Sequence, residues 1–286
     1  MRHPVMIAAL AGCALALSGC MGNKDADVSR ALKSVNAIDE SNLSDIMLTA
    51  SDPNEAVAYF KRSTKENPDR IDLQRGLAKS LVRANHPDAA IKVWQHVVTM
   101  EGATDEDKVL LAQAQIRANK WDDAQATLAT VPPTYETFER YKLEAMVADS
   151  KKQWKKSDSF YETAVGLTTQ PGPVYNNWGY SKLTRGDAKA AERMFAEALT
   201  YDPTRFTTKN NLVLARASQR KYDLPVVDMT QTEKAQLLYT AALSAIKQGD
   251  VAIGKGLLQE AVDTHPQHFE EAARALAALD ANVAKG

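Results

Sequence analysis

The sequence predicts an all-α solenoid of antiparallel helix pairs, and three observations carry that prediction. The first is the segment 172–203, which reads as two short amphipathic helices joined by a tight turn. Tyr175, Trp178, Leu183, Met194, Phe195 and Leu199 supply bulk, while Gly179, Ala191 and Ala198 sit where two helices approach closely. Gly186-Asp187 breaks the first helix, and Pro203 ends the second because it cannot continue a hydrogen-bonded turn. The second is recurrence: units of this kind begin near 37, 71, 105, 138, 172 and 206, a near-constant period of about 34 residues. The third is composition. A quarter of the 286 residues are charged, and alanine and leucine are abundant, which suits soluble helices with apolar stripes. One helix pair cannot bury its apolar face alone, so each unit needs neighbours.

The chain begins with a segment of another kind. Arg2 and His3 precede Val5 to Leu17, an apolar run too short to span a bilayer as a helix and matching a secretory signal core. It closes on Leu17-Ser18-Gly19-Cys20, which resembles the bacterial lipobox. That resemblance implies residues 1–19 as a lipoprotein signal peptide and Cys20 as the lipid-modified new N-terminus. Each buried acyl methylene contributes about 0.8 kcal/mol, and two or more chains anchor stably where one is marginal. Met21, in place of an Asp, implies the periplasmic face of the outer membrane. Residues 20–36 then read as lipidated cysteine plus flexible tether, of which ten extended residues reach at most about 35 Å. Cys13 lies inside the apolar run and Cys20 is the remaining thiol, so no internal disulfide is available to the mature chain.

The repeat array occupies 37–221. The first unit keeps Leu43, Met47, Ala56, Phe60 and Pro68; the second has Leu77, Ala78, Leu81, Ala90, Trp94 and Val97. Leu111, Ala112, Trp121, Ala124 and Leu128 mark the third, and Ala145, Trp154, Tyr161 and Ala164 the fourth. Two interruptions are expected in this stretch. Pro132-Pro133 closes the third unit early, and Glu144 stands where a large apolar residue is usual, so the fourth unit packs less well. In the unit from Phe206 the second helix fails at Leu224-Pro225-Val226-Val227, which makes 222–234 an irregular insertion. A final unit over 235–267 follows, with Leu238, Ala242, Gly249, Leu258, Ala261 and Pro266, and an amphipathic capping helix and tail occupy 268–286.

The formal charge of −1, about −2 without the signal segment, gives no electrostatic case for nucleic acid. His265 and His268 beside Glu270 and Glu271 could hold a metal, yet they flank a helix break and begin a helix, where acids suit the dipole. Asp105-Glu106-Asp107 and Asp122-Asp123 also open helices, so they are read as caps rather than catalytic pairs. Gly254-Lys255-Gly256 has neither the spacing nor the preceding strand of a phosphate loop, and no nucleophile-elbow sequence marks a serine. No cofactor or metal is expected, and the chain is not read as an enzyme. Lys151, Lys152, Lys155 and Lys156 around Trp154 form a basic turn, either a solvated corner or a contact for an acidic partner or anionic lipid.

The large–small pattern and its period resemble the tetratricopeptide repeat (TPR), which implies a right-handed superhelix whose concave groove is lined by the first helix of each pair. Asn177 and Asn211 fall at the sixth position of successive units, beside Asn176 and Asn210. Such asparagines resemble the ladder with which some TPR proteins grip an extended peptide, since an amide offers a donor and an acceptor to a main-chain group. The alternative is that they bond within the array, and the sequence leaves both open. The same register aims Tyr180, Lys142, Arg75, Lys79, Gln113 and Arg117 at the groove.

Lipobox, repeat array, the Asn-Asn-Trp-Gly-Tyr start at 176–180 and the closing segments 237–241 and 264–266 together resemble the TadD family, TPR lipoproteins of the tight-adherence (Flp, type IVb) pilus system. The resemblance covers roughly 37–283. It implies an outer-membrane adaptor or pilotin whose protein partner is the pilus secretin or another assembly component. Two alternatives stand: a TPR lipoprotein scaffold in outer-membrane protein assembly or murein-enzyme recruitment, and an unrecognised enzyme.

Overall fold

The computed structural model describes residues 43–283, and side chains for 43–280. The signal segment, Cys20, the tether and the front of the first unit lie outside the described residues. Helices follow one another in antiparallel pairs: α1 (43–49) with α2 (Pro53–Glu66), α3 (Ile71–Arg83) with α4 (Pro87–Val97), α5 (Asp105–Arg117) with α6 (Trp121–Ala129), α7 (Phe138–Ser150) with α8 (Trp154–Gly166), and α9 (Gly172–Thr184) with α10 (Ala188–Tyr201). Then come α11 (Phe206–Ala217), α12 (Gln231–Lys247) paired with α13 (Val251–Thr264), and α14 (Glu270–Val283). No strand occurs among the described residues. The expected all-α solenoid is the fold observed.

From α3 onward, the turn after the first helix of each unit is built the same way. Asn85, Asn119, Lys152, Gly186, Arg220 and Gly249 all have positive φ, near +60° for the four non-glycines and +87° for the two glycines. They recur once per unit at a near-constant spacing, which shortens only between Arg220 and Gly249. The next residue's N–H reaches back to the carbonyl five positions earlier, as from His86 to Leu81, Lys120 to Gln115, Gln153 to Ala148, Asp187 to Lys182, Lys221 to Arg216 and Asp250 to Ala245, at 2.8–3.1 Å. This left-handed cap satisfies the last carbonyls of the first helix and reverses the chain.

Between the helices of a pair, large side chains lie over small ones. Phe60, Trp94, Tyr161 and Phe195 are each at most 1 % exposed. A methyl group added at Gly179 would stand 2.7 Å from the Phe195 ring, and one at Gly76 would overlap the Phe60 ring at 2.2 Å. These glycines are where helices meet backbone to ring. At the far end Ala272 of α14 packs with Leu258 and Ala261 of α13, so α14 closes the apolar end of the stack.

Two departures from regularity have visible causes. α6 is only nine residues long, and the loop to α7 is held by Arg140, whose guanidinium donates to the carbonyls of Pro132 and Tyr135 at 2.8 and 3.1 Å and to Glu144 at 3.0 Å. Glu144 therefore anchors an arginine that clasps the proline loop. After α11 the turn at Arg220 forms as in the preceding units from α3 onward, but no second helix follows it. Residues 221–230 instead cross the place where that helix would lie. Tyr222 packs on Ala217 and Ala245, Leu224 and Met229 on Val213, Leu237 and Ala241, and Val227 against the Phe195 core. Four apolar residues on a strap thus replace the buried face of a helix. α12 starts at Gln231, a turn before the expected Ala235, because Thr230 accepts from the Glu233 N–H and Glu233 from the Thr230 N–H.

Candidate functional site

Along the stack, contacts between like helices fall on one side: α5 touches α7, α7 touches α9 and α9 touches α11. The layer whose members approach one another is the inside of the curve, so the first helices of the pairs form the inner, concave face. A run of polar contacts joins them. Arg75 of α3 makes a two-point bond to Asp107 of α5, both at 2.7 Å, and also donates to the Gly102 carbonyl. Gln113 of α5 donates to Glu139 of α7 at 2.9 Å. Ser181 of α9 donates to Asp149 of α7 at 2.7 Å. The Asn176 side-chain Oδ1 accepts from Thr208 and Asn211 of α11 at 3.0 and 3.2 Å. Thr240 of α12 donates to Asn210 at 2.8 Å, and buried Lys209 reaches Glu233 at 3.2 Å and the Asp228 carbonyl at 2.6 Å. One helix to the next, these bonds set the stacking register.

The sequence-predicted groove residues therefore divide. Arg75, Gln113, Asn176, Asn210 and Asn211 bond to the neighbouring unit. Lys142 pairs with Glu139 at 2.6 Å and lies over the Phe138 ring, 5.8 Å from its centroid. Asn177 is half-buried, with its amide 3.5 Å from Met146 Sδ. Lys79, Arg117 and Tyr180 are exposed, Tyr180 by 57 %, and make no hydrogen bond or ion pair among the described residues. Cys20 lies outside them.

Two concavities open on this face. One, about 280 Å³, lies among α1, α3 and α5 and is lined by Leu48, Lys79, Val82, Arg83, Leu110 and Gln113 among others. The other, about 260 Å³, lies between α7 and α9, lined by Trp121, Met146, Asp149, Ser150, Tyr161, Asn177, Tyr180, Ser181 and Thr184. Asp149 is its polar centre: its Oδ1 accepts from Ser157 and Ser181, and its Oδ2 from the Tyr161 hydroxyl at 3.1 Å. Burial first, and then the Asp149 charge and hydrogen bond, hold the Tyr161 hydroxyl well above its ordinary value, so it stays a donor. Met146 and Asp149 were missed from the sequence. Stepping back from Tyr180 one repeat at a time gives Met146, Gln113 and Lys79, so the register alone could have found the first. Asp149 gives no such signal, because its role depends on hydroxyls contributed by α8 and α9.

His268 bonds to Glu270 at 2.8 Å and His265 to the backbone of Gln267, and no group of three or more His, Cys, Asp or Glu is placed to hold a metal among the described residues. In the basic turn Lys151 bonds to Asp122 and Gln125, and Lys156 lies 5.5 Å from the Phe160 centroid. No helix among the described residues is long and apolar enough to cross a membrane.

Residues 47–99 match a tetratricopeptide-repeat family model. No curated protein matches the chain in sequence. Among solved structures, a chain of the APC/C hetero-tetramer Cut9–Hcn1 aligns with a TM-score of 0.60 at 14 % identity over 82 % of this chain and 48 % of that one. The chain thus spans about half the length of that protein. TTC0263, a TPR protein of Thermus thermophilus, aligns at 0.54 with 15 % identity, over 61 % of this chain and 95 % of its own. PilW, described as a widely conserved type IV pilus biogenesis factor, aligns at 0.54 with 13 % identity over 82 % and 96 %. At these identities the likeness is one of fold: a TPR solenoid, an architecture that serves generally as a scaffold for protein interaction.

Proposed function

We propose that this chain is a lipid-anchored TPR adaptor that holds an extended segment of a partner protein along its inner face during assembly of a tight-adherence pilus, with the secretin or another assembly component as the partner. The observation that carries the binding part is the set Lys79, Arg117 and Tyr180: three long side chains on the inner face that make no hydrogen bond or ion pair among the described residues. Ordering them against a partner breaks nothing already formed. Support for the pilus setting comes from the sequence resemblance and from a fold shared with a type IV pilus biogenesis factor over most of both chains. Cys20 would fix the array to the periplasmic face of the outer membrane, and a short tether would raise the concentration of the groove near membrane partners without any new contact.

The test is a strain carrying Lys79→Glu, Arg117→Glu and Tyr180→Ala together. Surface pili and adherence should be lost while the purified variant keeps wild-type helicity by circular dichroism. Normal piliation with normal helicity would reject the groove as the working surface. Cys20→Ala should release the protein from the membrane fraction or leave an unprocessed precursor; unchanged labelling by fatty acid would remove the anchor from the reading.

A further inference from the structure

The carboxylate at the centre of the α7–α9 concavity differs from the others that tie helices together. Asp107 is matched by Arg75, Glu139 by Lys142, Glu144 by Arg140, Asp158 by Lys182 and Arg185, Glu192 by Arg216 and Lys221, Glu233 by Lys209 and Asp250 by Arg220. Asp149 joins α7, α8 and α9 through three hydroxyls and has no cation partner among the described residues. Among the cations around it, Lys151 pairs with Asp122 and Arg185 with Asp158.

Hydroxyls satisfy hydrogen bonds but leave the charge uncompensated. A carboxylate offers about four acceptor sites; Oδ1 uses two of its own and Oδ2 one, so an acceptor position remains on a group that lines an open cavity. The open walls are Trp121 and Tyr180, with Met146 beside them and buried Tyr161 beneath. Aromatic faces attract cations, and more strongly where water is partly excluded. Half-exposed Tyr180 can close over an entering side chain, and the Asn177 amide carbonyl offers a further acceptor.

We propose that this cavity receives a basic side chain, lysine or arginine, of the bound partner segment, with Asp149 as counter-ion and Trp121 and Tyr180 as walls. This rests on the inner face being the binding surface and adds to it a position of defined charge. The segment held there is then basic at one residue, whereas Lys79 and Arg117 toward α3 and α5 favour acidic residues at the other end.

Three capped pentapeptides decide it, identical except for a central lysine, arginine or norleucine, titrated into the full-length protein while the indole N–H resonance of Trp121 is followed. The lysine and arginine peptides should shift it, with norleucine at least about tenfold weaker, as expected for a charge-assisted contact. In Asp149→Asn the preference should vanish, and Tyr180→Ala should weaken the basic peptides several-fold. Norleucine binding as well as lysine, or a basic preference surviving in a helical Asp149→Asn, overturns the inference and leaves the groove reading in place. So does a response on the inner face that spares Trp121. No response anywhere on that face to any peptide overturns both. If Asp149→Asn fails to fold, the norleucine comparison and Tyr180→Ala still decide.

Discussion

At the scale of single residues, the inner face separates groups that hold the array together from groups left over. Asp107 belongs to the first kind. Its side chain is 2 % exposed. Burial pushes its carboxyl up, but the bonds from Arg75 and from the Thr104 backbone and hydroxyl, with the Arg75 charge, outweigh that and leave it below the usual value. A carboxyl depressed on folding stabilises above its unfolded pKa of about 3.9, and that contribution fades as pH falls through the folded value. Asp107→Asn should cost about 2 kcal/mol near neutrality and flatten the acid limb of a stability-versus-pH curve; an acid limb as steep as wild type would contradict the assignment. The asparagines give a second contrast. Asn176→Ala leaves Thr208 and Asn211 without their acceptor and should destabilise by about 1 kcal/mol, whereas Asn177→Ala should fall within about 0.5 kcal/mol of wild type, both measured by urea unfolding. Periodicity placed these residues on α9 and α11, where they lie. It left open whether an amide turns toward the groove or the next helix, since that depends on a partner such as Thr208, a whole repeat away.

At the scale of the helix pair, most of the architecture was legible. α3, α5, α7, α9 and α11 begin at Ile71, Asp105, Phe138, Gly172 and Phe206, where the large–small pattern restarts. Packing explains why that pattern is readable: Gly179 must stay small because the Phe195 ring occupies the space of its missing methyl. Gly179→Ala should destabilise by about 1–3 kcal/mol. Gly256→Ala on α13, where an added methyl meets nothing within 4 Å, should be neutral or stabilise by about 0.5–1 kcal/mol through helix propensity. Thermal unfolding of the two variants compares them directly, and equal shifts would mean that the ring contact has no weight. Glu144 was harder to read. By position it looked like a defect in the apolar pattern, and only the loop carbonyls of Pro132 and Tyr135 show what its arginine partner is for. A side chain engaged with irregular backbone leaves no periodic trace.

For the whole molecule, the inner layer runs on from pair to pair while the outer layer changes character once. The failure of helical pattern at Leu224-Pro225 could be seen in advance; that Tyr222, Leu224, Val227 and Met229 would fill the vacated place could not, because apolar residues in an irregular segment carry no period to align. The strap has few backbone hydrogen bonds of its own, and Val226 on it is fully exposed. In a repeat stack, stability is close to a sum of intrinsic and nearest-neighbour terms, so cooperativity divides most readily where an irregular strap stands in for a helix. Heating should therefore melt the protein in two steps rather than one, the block from α12 to α14 separating from the block ending at α11. Limited proteolysis should nick first near Val226 and yield two fragments that remain associated. Restoring a helix across 221–230 by design should merge the two transitions.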